Sequence, residues 1–238
     1  MRRHEGVSAP MNAVVYYSNT GQSRAVAEHL AERLDYPIAD MEACQEVRFD
    51  SLVLVFPVYC QDMPPAVRDF LKRITADYLT PVATYGKMCY GNVLFDLQRR
   101  FPHVTVAAGA YVPTKHAYLS DDAPFDSFEL LAPLVEKVRN PAPVRLPRTY
   151  RNPLAVLLPA ARSRLGVRIH RTEDCDGCSL CAARCPQGAI HVGITNAACI
   201  RCLRCVSECP KGALTAEIRF PLDLYLRKKK VTETVVYL

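Results

Sequence analysis

Eight of the chain's eleven cysteines lie between Cys175 and Pro210, in two runs, CDGCSLCAARCP and, thirteen residues later, CIRCLRCVSECP. Both runs have the spacing C-x₂-C-x₂-C-x₃-C-P. Set against each other at an offset of 24, residues 175–190 and 199–214 share four Cys, one Pro, one Gly and one Ala. The segment is therefore an internal duplication and predicts a unit with pseudo-twofold symmetry. Three thiols at two-residue intervals can reach three corners of a compact inorganic core. The fourth, three residues on, is expected at the start of a helix that leads away. Pro186 and Pro210 turn the chain there and donate no N–H, and Gly188 and Gly212 mark the hand-over to a short strand.

This is the spacing that holds cubane iron–sulfur clusters, the fourth cysteine of each run serving the other cluster. It assigns Cys175, Cys178, Cys181 and Cys209 to cluster 1, and Cys199, Cys202, Cys205 and Cys185 to cluster 2. Zinc is the main rival for C-x₂-C pairs, but a zinc site closes with four ligands, usually in two separated pairs, and gains nothing from a third cysteine two residues on. Disulfide scaffolds belong to oxidising compartments, and no secretion signal is evident. Residues 169–217 resemble a bacterial-type 2[4Fe–4S] ferredoxin with all eight ligands present.

A chain of 238 residues, half of them hydrophobic, has room for one large or two smaller domains. No apolar run approaches ~20 residues, which predicts no transmembrane segment. Gly6, Ser8 and Pro10 break the stretch after Arg2 and Arg3, so residues 1–10 read as a disordered extension, with Met11 an alternative start. A reducing cytoplasm suits the free thiols. Of the net charge of +6, residues 1–140 contribute −3, residues 141–171 contribute +7 with seven Arg and no carboxylate, and residues 172–238 contribute +2. The basicity belongs to a connecting segment, which argues against a nucleic-acid-binding domain.

Residues 11–140 alternate between strand and helix. Residues 11–17 (MNAVVYY) read as a buried strand, and residues 24–34 as a helix with Val26, Ala27, Leu30 and Leu34 on one face. Between them, Ser18-Asn19-Thr20-Gly21-Gln22-Ser23 has the composition of a phosphate cradle: loop N–H groups and a helix N-terminus favour an anion, and hydroxyls complete its hydrogen bonds. A helix start without a ligand is the plainer alternative. A short edge strand is expected at 36–40, and a strand covered on both faces at 51–56 (SLVLVF). Next come a helix from Pro64-Pro65 to Ile74, a strand at 81–85, a helix at 92–100, a strand at 103–110, an extended loop at 111–119 and a helix at 125–138. Such alternation implies an open parallel sheet with ligands beyond the C-terminal ends of its strands. No G-x-G-x-x-G follows a strand, which argues against a nicotinamide site.

S-N-T-G-Q-S looks like the S/T-x-T-G-x-S/T phosphate loop of flavodoxins. The resemblance implies a doubly wound five-stranded parallel sheet of order 2-1-3-4-5 that binds FMN. The phosphate would lie at Ser18, Asn19, Thr20, Gly21, Gln22 and Ser23. The flavin ring would lie between Pro57, Val58, Tyr59 and Cys60 on one side and the loop from Thr84 to Gly91, with Tyr85, Gly86 and Tyr90, on the other. Tyr59 and Tyr85 or Tyr90 are candidates to pack on the ring, half-buried loop aromatics being the alternative. Many flavodoxins use Trp there, and this chain has none. Cys44, Cys60 and Cys89 read as packed thiols, and Lys115 and His116 as solvated loop residues.

Residues 141–168 form a basic linker in which Pro141, Pro143 and Pro147 argue for an extended tether. Its stretch LAVLLPAA (154–161) suits packing on a domain, contact with a membrane surface, or docking of an acidic redox partner. Residues 218–238 form a C-terminal tail with a basic run at 227–230 and a strand expected within 231–238. The order of flavodoxin-like domain, tether and small α+β ferredoxin domain resembles the EFR1-type ferredoxins. It implies an electron-transfer protein relaying between two [4Fe–4S] clusters and FMN. No general acid, base or nucleophile stands out. A flavin-dependent reductase of a small organic acceptor, and a redox sensor or assembly subunit lacking FMN, are the alternatives.

Overall fold

The computed structural model describes residues 11–119, 123–149, 159–228 and 231–238. The extension expected at 1–10 and residues 154–158 of the apolar linker stretch lie outside the described residues, as do Lys229 and Lys230 of the basic run.

The first half is built on five parallel strands: β1 (Asn12–Tyr16), β2 (Ile38–Asp40), β3 (Arg48–Pro57), β4 (Thr75–Tyr85) and β5 (Gly109–Pro113). They lie in the expected order β2-β1-β3-β4-β5. Helices α1 (Gln22–Leu34), α2 (Pro65–Arg73), α3 (Val93–Arg100) and α4 (Ala132–Arg139) cover both faces. Successive side chains of a strand point to opposite faces, and β3 shows the consequence. Val53 and Val55 pack with Val26, Leu30, Leu134 and Val135 of α1 and α4. Leu52, Leu54 and Phe56 pack with Val67, Leu71, Leu94 and Leu97 of α2 and α3.

Three boundaries depart from the sequence reading. β4 begins at Thr75, directly after α2, and runs through Pro81. Pro81 is tolerated because its missing donor faces β5 where pairing is interrupted. Leu79 bonds to Thr105 and Ala107 on that side, Pro81 points the same way two residues later, and β5 starts only at Gly109. β5 therefore occupies Gly109–Pro113 rather than 103–110, with Val106 joined to β4 by an isolated bridge to Leu79. The last helix opens as a 3₁₀ turn (Phe128–Leu131) before α4.

Part of the expected tether is not free. The Val144 N–H donates to the Val106 carbonyl, Gln98 brackets the Val144 carbonyl and the Leu146 N–H, and Leu146 is buried on the α3 face.

The second half opens with α5 (Pro159–Gly166) and β6 (Val167–Arg171), followed by α6 (Leu180–Ala183), the hairpin β7 (Ile190–His191) and β8 (Ile194–Thr195), α7 (Arg204–Ser207) and β9 (Leu214–Ile218). β6 and β9 pair antiparallel. The duplication is visible in the backbone: Gly177 and Arg201, Ser179 and Leu203, and Gly188 and Gly212, each pair 24 residues apart, all have positive φ. The short helices contain the third cysteine of each run and end before the fourth. They do not start at the fourth, which lies beyond each helix and is followed by Pro186 or Pro210.

After β9, α8 (Leu222–Lys228) leads back to the first half, where β10 (Val235–Tyr237) joins β5 antiparallel as a sixth strand. The Tyr85 hydroxyl donates to the Glu233 carbonyl at 2.5 Å, and the Val231 N–H to the Lys87 carbonyl. β10 thus covers an otherwise open sheet edge. Deleting residues 231–238 is expected to lower the melting temperature and promote self-association through β5, by differential scanning fluorimetry and size-exclusion chromatography. A monomer with an unchanged melting temperature would show the strand to be dispensable.

Candidate functional site

The eight cysteines of the duplicated runs ring two hollows. Cys185, Cys199, Cys202 and Cys205 line one. Cys175, Cys178, Cys181 and Cys209 line the other. Among the described residues no three His, Cys, Asp or Glu side chains are grouped as ligands of a single ion; the thiols surround a space instead. Burial pushes the Cys202 thiol up to about 11 and the Cys205 thiol to about 12. Thiolates are costly there without compensating positive charge, and metal binding, which deprotonates its thiol ligands, supplies it. These donor sets fit iron–sulfur clusters.

The two hollows are not equivalent. The Cys185/Cys199/Cys202/Cys205 set sits against the first half of the chain, and Cys199 is buried. The other set contains the exposed Cys178. Arg204, between Cys202 and Cys205, makes the principal contact. Its side chain is 7% exposed, and Nη1 donates to both carboxylate oxygens of Glu42 at 2.9 and 2.7 Å. Nη2 donates to the Ser18 carbonyl at 3.2 Å, and the guanidinium lies over the Tyr17 ring at 5.6 Å. Ser207 Oγ donates to the Asn19 carbonyl at 3.2 Å. Tyr118, from the loop after β5, packs into the core of the second half and donates its hydroxyl to the Arg201 carbonyl at 2.9 Å.

The loop Ser18–Ser23 thus lies under α7. Asn19 is buried and donates to the Tyr59 hydroxyl, while its Oδ1 has no partner among the described residues. Gly21 has φ 82° and no neighbour where a Cβ would stand. It precedes the thirteen-residue α1, whose N-cap carries no side-chain hydrogen bond. A first helical turn without a side-chain cap, a left-handed glycine and a buried unpaired amide oxygen fit a loop built to take a phosphate. The Ser23 and Thr84 hydroxyls lie 2.8 Å apart, tying this loop to the end of β4.

The flanking loops are packed together. The Val58 N–H donates to the Thr84 carbonyl. Tyr59 and Asp62 close a tight turn in which Cys60 and Gln61 have positive φ. A Cβ on Gly91 would stand 2.7 Å from Gln61 Cβ, and one on Gly86 2.5 Å from His116 Cδ2. Burial raises the pKa of Tyr17 and Tyr118 and lifts that of Tyr59 well above the ordinary value. All three rings are within electrostatic reach of Cys202.

Of the aromatic candidates, the structure brings only Tyr59 to this place. Tyr90 stacks on Tyr111 at 4.1 Å and meets Tyr85 edge-on at 5.0 Å; Tyr85 itself is 2% exposed, on the α2/α3 face. Strand alternation turns Tyr85 opposite to Thr84 and into the α2/α3 core, away from Tyr59. His116, expected in solvent, receives the Tyr118 N–H at 3.1 Å. Arg204, Ser207, Glu42 and Tyr118 escaped the sequence reading. An arginine inside C-L-R-C was the one local signal, and its partners are remote.

The architecture is that of a redox protein of two modules. Residues 13–85 match the family of flavodoxin domains, and residues 169–191 and 192–215 each match the 4Fe–4S binding domain. The chain therefore joins a flavodoxin domain to a 4Fe–4S binding domain in two copies. Similar solved structures include a short-chain flavodoxin associated with a non-canonical PDU bacterial microcompartment (19% identity, covering 56% of this chain and 98% of that one, TM-score 0.40). Rubredoxin oxygen:oxidoreductase from Desulfovibrio gigas shows 16% identity over 55% of this chain and 36% of that one, with a TM-score of 0.40. A flavodoxin, WrbA-like protein from Agrobacterium tumefaciens shows 12% identity over 56% and 100%, with a TM-score of 0.35. No curated protein matches the chain. Among the described residues no helix is long and apolar enough to cross a membrane.

Replacing Tyr118 by Phe removes one buried interdomain hydrogen bond and is expected to cost about 1 kcal/mol, without loss of iron. Anaerobic chemical denaturation with parallel iron analysis checks it.

Proposed function

We propose that the chain is an electron-transfer protein carrying FMN and two [4Fe–4S] clusters, with the Cys185/Cys199/Cys202/Cys205 set as the inner cluster site and the Cys175/Cys178/Cys181/Cys209 set as the outer one. The observation that carries the reading is the seating of the inner set on the loop Ser18–Ser23 through Arg204 and Ser207, with Tyr118 holding Arg201 beside it. When bound, the clusters exchange single electrons and FMN exchanges one or two, so their combination matches one-electron to two-electron traffic.

The residues supply position and environment. Ser18–Ser23 would hold the phosphate, and Pro57–Cys60 and Thr84–Gly91 would flank the ring, with Tyr59 as the aromatic contact. Tyr17, Tyr59 and Tyr118, all at least half-buried, keep water from the inner site, and burial with hydrogen bonding is the protein's means of setting a cluster's potential. The exposed Cys178 marks the side at which an external redox partner would exchange electrons with the outer site. Eleven free cysteines suit a reducing compartment such as the cytoplasm.

Anaerobically purified protein is expected to contain about eight irons and one FMN per chain, with both flavin and iron–sulfur absorption. Thr20→Glu should abolish FMN retention by charge repulsion and leave the iron unchanged. Cys178→Ala and Cys202→Ala should each halve the iron content, and electron paramagnetic resonance should show a different cluster surviving in each. Protein with full iron and no flavin would overturn the reading.

A further inference from the structure

Two of the contacts between the two halves fall on backbone carbonyls of the loop Ser18–Ser23. Nη2 of Arg204 donates to the Ser18 carbonyl and Ser207 Oγ to the Asn19 carbonyl, each at 3.2 Å. In a trans peptide the N–H points opposite to the C=O of the same unit, and the cis peptide described in this chain is Phe220–Pro221. Fixing those two carbonyls therefore fixes the N–H groups of Asn19 and Thr20 on the far side of the loop. Among the described residues neither N–H meets a protein acceptor. Both lie just before Gly21 and the uncapped start of α1. A hydrogen bond to a peptide's carbonyl, here from a guanidinium, also strengthens its N–H as a donor.

We propose that Arg204 and Ser207 of the 4Fe–4S domain are positioning residues for the flavin phosphate: they set the two loop peptides whose N–H groups receive it, so the phosphate site is complete only when the two domains are docked. The inference rests on the reading of Ser18–Ser23 as an FMN phosphate loop. Glu42 serves this arrangement by holding the Arg204 guanidinium in place on the side away from Ser18. Linkage makes the coupling reciprocal: an occupied loop strengthens docking of the domain that carries the inner cysteines.

The test is flavin and phosphate affinity in the full-length, iron-loaded protein with R204Q and S207A, titrating flavin-stripped protein with FMN, with riboflavin, and with inorganic phosphate as competitor. R204Q is expected to weaken FMN about tenfold or more and S207A several-fold, with phosphate competition weakened in step. Riboflavin affinity and iron content should stay as in the unsubstituted protein. A general loosening of the interface would weaken FMN and riboflavin alike, and that result would overturn the proposal. So would FMN affinity within twofold of the unsubstituted protein in both variants. If R204Q loses iron, S207A alone decides between the same outcomes. Failure of the unsubstituted protein to bind FMN would instead overturn the FMN reading itself.

Discussion

A single buried cation organises the contact between the two halves. Arg204 lies between two cysteines of one hollow, and its fork reaches a carboxylate on one side and a loop carbonyl on the other. A desolvated guanidinium is costly unless partnered, and here Nε is left without a partner among the described residues. Glu42 is partly exposed, so the pair adds modestly to stability. Its larger effect is on specificity, because a planar, directional donor tolerates one arrangement of the domains, where an apolar contact would tolerate several. Tyr118 adds a second fixed point, its phenol buried beside Cys199 and Cys202.

The covalent path reinforces that choice. The chain leaves the flavodoxin domain along a segment packed on α3 and the sheet by Val144 and Leu146, and returns as β10 on β5. The 4Fe–4S domain is anchored on both sides, so little chain entropy opposes its docking and its effective concentration at the interface is high. The bonds of Arg204 and Ser207 to the loop Ser18–Ser23, and of Tyr118 to Arg201, set the inner cysteines against the flavodoxin domain.

The sheet order, both layers of helices and the division of the cysteines into two sets were legible because each rests on short-range patterning. SLVLVF alternates onto two cores within six residues, and three cysteines of each set are spaced within one loop while the fourth comes from the other run. The start of β4 was less legible, since Pro81 reads as a breaker until the gap in β5 pairing is known. The placement of Tyr85 was less legible for a related reason. Tyr85 and Thr84 are neighbours in sequence, yet strand alternation sends one to the α2/α3 core and the other to Ser23.

By itself the sequence determined the chemistry on offer: eight thiols in two interleaved sets, and a hydroxyl-and-glycine loop at a helix start. Local spacing and backbone preference settle such features within a dozen residues. Tertiary structure alone decided which cysteine set faces the flavodoxin domain, because that depends on pairs such as Arg204 with Glu42, 162 residues apart. In the folded protein the second cysteine run packs against the loop Ser18–Ser23 of the first half. Contacts that distant leave no periodic trace in a sequence, and only packing brings them together.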